Sequence, residues 1–253
     1  MSIRSAAPYG VRTMRTSGVS SPSDIERMYV TVSQGTVGSE SLVFQNRLFF
    51  WNGHGFVGEQ KWPIQGPQYR FYASSVPAEF RTGGTVLWAD GTSDVVCAYS
   101  PSPIWGAVNV MSFKHIFGCI GRVTLVAESD WSISDVSVTI EAVTGGTYDI
   151  HTGDGHADRT GWSELVTESA YAIAPSAPGT WDLGAFLVPG TYQVTASWKA
   201  TSGSFVDSYR DMSATVTVRA GESQDITVTL GGRLVFSTSV VGWDGPINVS
   251  EES

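Results

Sequence analysis

The stretch Val108-Asn109-Val110-Met111-Ser112-Phe113-Lys114-His115-Ile116-Phe117-Gly118-Cys119-Ile120-Gly121-Arg122-Val123-Thr124-Leu125-Val126 decides how the rest of the chain is read. Val108, Val110 and Ser112 alternate with Asn109, Met111 and Phe113, and beyond Gly118 the alternation restarts as Val123 and Leu125 against Thr124 and Val126. A period of two sends successive side chains to opposite faces of an extended strand, so the stretch reads as two strands joined end to end. Glycines inside an apolar β-pattern mark a bulge, a bend or a close approach of two backbones, and Gly118 and Gly121 flank Cys119 and Ile120 in this way. The chain is expected to cross here from a first β-domain, residues 24–118, into a second, residues 119–245, with Phe113, His115, Gly118 and Gly121 at the junction.

Outward from this stretch the same period recurs. Before it, Met28–Val32, Leu42–Phe44, Leu48–Trp51, Tyr69–Ala73, Val86–Trp88 and Asp94–Tyr99 read as meander strands separated by Gly-rich turns. After it, Val136–Ile140 ends at Gly145-Gly146, Tyr192–Trp198 follows the turn signal Pro189-Gly190, and Thr215–Val218, Ile226–Leu230 and Leu234–Val240 continue the theme. Residues 1–23 are polar and interrupted by Pro8, Gly10, Gly18 and Pro22, with Arg12 and Arg15 in a Gly/Ser/Thr-rich setting that reads as exposed and cleavable. Residues 246–253 form a polar tail.

Composition agrees with an all-β chain. In 253 residues there are 28 glycines, 11% aromatics and 15% charged side chains, and no long amphipathic helix is legible. That length supplies a core without a disulfide framework. A net charge of −9 with 15 dispersed basic residues excludes a nucleic-acid partner, because phosphate binding needs clustered Lys and Arg. No run of apolar residues is long enough to span a bilayer, and MSIRSAAPYG lacks the basic-then-apolar order of an export signal.

The chemistry on offer is sparse. Cys97 and Cys119 are too few for a disulfide scaffold and too far apart in sequence for a zinc pair; they read as two buried unpaired cysteines on strands, or as one bridge. Tyr148–Gly161 holds Asp149, Asp154, Asp158, His151 and His156, yet no Glu closes an EF-hand and no helix aligns the histidines, so a solvated loop or loose hairpin is expected and no metal. There is no nucleophile elbow or phosphate loop, Cys119 lies in an apolar strand, and His115 reads as packing or capping a strand end. No catalytic residue and no cofactor is expected.

Four stretches, in this order across about residues 25 to 245, resemble the fimbrillin family, the fimbrial subunits and related surface adhesins of Bacteroidales. They are Lys61-Trp62-Pro63 with Tyr69–Ala73, the junction stretch itself, Pro189-Gly190-Thr191-Tyr192-Gln193-Val194-Thr195, and Phe236–Trp243. The resemblance implies two consecutive transthyretin-like β-sandwich domains in a subunit of a fimbria at the outer membrane and cell surface. It implies assembly by donor-strand exchange, in which an N-terminal strand is released by a cut after an arginine and a neighbour's extended segment fills the vacated groove. Carried onto this chain, residues 2–11 are the candidate first strand, Arg12 or Arg15 the cut site, and Ile247 and Val249 the plugs of a donor tail. The implied partners are other fimbrial subunits and a host or bacterial surface receptor or glycan, with membrane contact only through a lipid anchor that this sequence does not carry. Two other readings stand beside it: a glycan-binding module with Trp51, Trp105, Trp162 or Trp181 stacking on sugars, and a structural protein of a phage particle.

Overall fold

The computed structural model describes residues 19, 21–61, 68–101, 103, 111–151, 161–173, 178–242 and 247–248. The strands in chain order are β1 (Arg27–Gln34), β2 (Ser41–Trp51), β3 (Phe56–Val57), β4 (Tyr69–Ser74), β5 (Ala78–Arg81), β6 (Gly84–Ala89), β7 (Val96–Ser100) and β8 (Ser112–His115). They continue as β9 (Gly118–Ala127), β10 (Ser132–Asp149), β11 (Trp162–Ile173), β12 (Gly179–Leu187), β13 (Gly190–Ser202), β14 (Phe205–Val218), β15 (Glu222–Leu230), β16 (Leu234–Gly242) and β17 (Ile247–Asn248).

Three sheets result. The first has the order β17-β8-β7-β4-β1-β2-β3, the second β14-β13-β10-β6-β5 with β11 also on β10, and the third β12-β9-β15-β16. Pairing is antiparallel except between β9 and β15. The junction stretch changes sheet where its glycines begin: β8 stays beside β7, while β9 lies between β12 and β15. A β-carbon on Gly118 would collide with the carbonyl of Arg219 and with Val218. Gly121 is the extra residue of a bulge, because Ile120 faces Gln224 and Arg122 faces Asp225. Both glycines therefore do what an interrupted β-pattern implies.

Burial divides into three clusters. Val123, Leu125, Val138, Ile140, Val194 and Trp198 belong to a core built from the second and third sheets, and Trp198 Nε1 donates to the Gly231 carbonyl at 3.0 Å. A middle cluster joins Tyr72, Leu87 and Cys97 to Phe117, Cys119 and Tyr148, drawing on both sides of the junction. The third, on the opposite face of the first sheet, holds Met28, Val32, Ala73, Val96, Ala98 and Phe113. The pleat explains the split: Val30 lies opposite Ala73 and Ala73 opposite Ala98, while Thr31, Tyr72 and Tyr99 share the other face.

Some strands differ from their sequence reading. Leu42–Phe44 and Leu48–Trp51 are one strand, β2, kinked at Asn46, whose φ of 51° accompanies a register shift against β1. β10 does not stop at Gly145-Gly146 but runs on to Asp149, with Gly145 pressed against the Ala89 carbonyl where no side chain fits. Tyr148 and Asp149 are accordingly strand residues, not loop. The strands β5 and β6 of the earlier half are hydrogen-bonded into the sheet of β10.

Candidate strand-docking site

β8 is four residues long, and its outer edge is taken by β17, with Ile247 facing Phe113 and Asn248 facing Ser112. Without β17, β8 would be a bare sheet edge with unpaired backbone N–H and C=O groups. Phe113 and His115 alternate onto the face of the third cluster; they are 3% and 8% exposed, so this edge borders a buried apolar layer rather than open solvent.

The start of the described chain arrives at the same place. Val19 packs on the third cluster, and its N–H donates to Asp94 Oδ2 at 2.7 Å. The same oxygen accepts from His115 Nδ1 at 2.8 Å, and the two side chains are 4% and 9% exposed. The neighbouring backbone repeats the tie, Ile116 N–H donating to the Val95 carbonyl at 3.1 Å. On its other side the His115 ring abuts Gly221, whose N–H donates to the Phe117 carbonyl at 2.9 Å. A buried hydrogen-bonded pair adds about 1 kcal/mol, but losing one partner leaves the other buried and unsatisfied at about 1–3 kcal/mol. The pair thus fixes geometry, holding the N-terminal segment, the approach to β7, β8 and the turn before β15 in one register.

Of the sequence-derived junction residues, Phe113 and His115 lie on β8, and Gly118 and Gly121 on β9. Ile247 is in β17; Val249, Arg12, Arg15, residues 2–11, Trp62-Pro63, Val108–Val110 and Trp243 lie outside the described residues. Asp94 and Val19 were not singled out in the sequence, where Asp94 reads as the first residue of an apolar run with nothing to distinguish it. Cys97 and Cys119 are both free and buried, and burial pushes each thiol up to about 12, so neither is a nucleophile at neutral pH.

The proposed aromatic platforms do not stand clear on loops. Trp51 ends β2 and meets Phe56 at 5.4 Å, Trp162 opens β11 between Phe117 and Tyr148 at 5.3 and 5.4 Å, and Trp181 lies in β12 against the first core. Their rings are committed to packing. Trp105 lies outside the described residues, as do Asp154, His156 and Asp158. Among the described residues no group of three His, Cys, Asp or Glu could hold a metal, and no helix is long and apolar enough to cross a membrane.

No family model matches this chain, and no curated protein matches it. Solved structures do. One, named as a candidate cell adhesion protein from Parabacteroides distasonis ATCC 8503, is 10% identical with a TM-score of 0.54 over 95% of this chain and 93% of its own. A similarly named protein from Bacteroides ovatus ATCC 8483 is 14% identical with a TM-score of 0.52 over 90% of each chain. A second Parabacteroides distasonis protein, again named for cell adhesion, is 10% identical with a TM-score of 0.50 over 90% and 96%. At these identities what is shared is the fold, and this chain has the all-β fold of those solved proteins.

Proposed function

We propose that this protein is a structural and adhesive subunit of a bacterial surface fimbria, joined to its neighbours by donor-strand exchange after loss of an N-terminal strand. The observation that carries the reading is that both described ends of the chain meet at β8: Val19 bonded to Asp94 beside His115, and β17 paired with Phe113 and Ser112. A strand that adds to its own sheet edge makes the same backbone bonds to the edge of another copy. In this reading residues 24–118 and 119–245 act as two transthyretin-like units, residues 1–23 are the segment that is cut, and residues 246–253 are the donated tail. The role calls for no catalytic group. Its partners are other subunits and a surface receptor, and its setting is the cell surface.

Limiting trypsin tests it. The reading expects one early cut at Arg12 or Arg15, followed over days by growth of oligomers in the size distribution. A clean cut that leaves a stable monomer contradicts it.

A further inference from the structure

Trp88 differs from every other described tryptophan. Trp51, Trp131, Trp162, Trp181 and Trp198 each pack on another ring or on a core. Trp88, at the middle of β6, is 52% exposed and belongs to none of the three clusters. Leaving an indole in water forgoes the gain of burying it.

Its surroundings on the sheet follow from register. Val86 lies opposite Glu79 of β5 on one side and opposite Asp149 of β10 on the other, and Trp88 lies opposite Thr147. Side chains at even spacing share a face, so Glu79, Val86, Trp88, Thr147 and Asp149 all point the same way, away from Leu87 and Ala89 in the middle cluster. Trp88 is thus about 7 Å along β6 from the Glu79–Val86–Asp149 row, with strands about 4.8 Å apart. Into that row opens a cleft of about 410 Å³, lined among others by Arg81, Gly84, Val86, Asp149 and Trp162.

Two carboxylates, Glu79 and Asp149, flank Val86 on this face. Asp149 Oδ1 accepts from His151 N–H at 2.8 Å, and the carboxylate rests on the bare backbone of Gly84, where a β-carbon would come within 2.8 Å of it. Trp162, which also lines the cleft, has an indole Nε1 with no hydrogen-bond partner among the described residues. Glu79 is largely exposed, with Arg81 Nη2 at 3.2 Å. An aromatic face beside fixed acceptors is the chemistry that takes a sugar ring, whose C–H face stacks on the indole while its hydroxyls donate to carboxylates. Charge narrows the class. An acidic sugar would meet two carboxylates and a single guanidinium already engaged by Glu79.

We propose that the outer face of β5, β6 and β10 binds a neutral pyranose, a hexose or N-acetylhexosamine displayed on a surface glycan, stacked on Trp88 and hydrogen-bonded through Asp149 and Glu79. This rests on the adhesive part of the proposed function and not on strand exchange, so uncut monomer is the test material. The probe is an array of neutral and sialylated oligosaccharides, read with wild type, Trp88→Ala and Glu79→Gln, alongside each variant's thermal midpoint. Expected is binding to a subset of neutral glycans that falls about tenfold or more in Trp88→Ala and several-fold in Glu79→Gln. Glu79 is exposed, so the second variant folds and carries the test should the first be destabilised. Binding to no neutral glycan, binding confined to sialylated ones, or full retention of binding in folded variants would overturn the proposal and leave the trypsin experiment untouched.

Discussion

Glu40 is a buried carboxylate that joins two turns: it accepts from Gly38 N–H at 2.9 Å and from Gly83 N–H at 3.1 Å. Burial works to raise its pKa, but its own backbone amide, the Gly83 and Gly38 donors and the Arg70 charge together outweigh it, and the carboxyl sits below its ordinary value of 4.5. A depressed folded value means the stabilisation is complete above the unfolded value and is lost as pH falls through the folded one. Glu40→Gln is therefore expected to cost about 1–3 kcal/mol at pH 7. The gap from wild type should close below pH 4.5, where protonated Glu40 and Gln are near isosteres. Denaturant titrations of both proteins at the two pH values check this, and a gap independent of pH would refute it. At this scale the sequence was legible where a residue's own chemistry decides its place: Gly121 at a bulge, and two apolar-flanked cysteines left as buried thiols. It was illegible for Glu40, Asp94 and Trp88, whose roles come from partners 43 and 21 residues away or from a neighbouring strand.

Elements were legible where alternation is unbroken, as in β1, β13 and β15. They were not where backbone irregularity absorbs a mismatch. The polar triplet Gln45-Asn46-Arg47 splits the pattern of β2, but a positive φ at Asn46 lets one strand pass through, its side-chain amide bonding the Ala78 carbonyl at 2.8 Å. The alternation of β14 is legible only at Thr215–Val218, because its first half, with Phe205 and Val206 exposed, has little burial pattern to read. β17 is the element with most at stake. Ending the chain after Gly242 removes it and bares the β8 edge. Hydrogen exchange at the amides of β8 should then quicken by about ten- to a hundredfold, equivalent to roughly 1–3 kcal/mol of lost local stability. Unchanged exchange would mean that β17 contributes nothing to that edge.

For the whole molecule, the all-β class followed from composition and period, while the way the sheets share strands did not. Pairing between β6 and β10 spans about 60 residues of sequence, and no local pattern encodes a partner so distant. The convergence of Val19 and β17 on β8 is likewise a property of the assembled chain. Its consequence for assembly is directly measurable, because Ser112 and Asn248 are Cα partners across the β8–β17 pair, a separation that a disulfide can bridge. The native cysteines do not compete, both being buried with thiols held near 12. The measurement is to mix trypsin-cut Ser112→Cys and Asn248→Cys proteins under mild oxidation and resolve the products by non-reducing mass analysis. The account predicts disulfide-linked pairs containing one of each variant, formed as the tail of one copy takes the β8 edge of another. Oligomers that grow without that cross-link, or cut proteins that stay monomeric and unlinked, would contradict it.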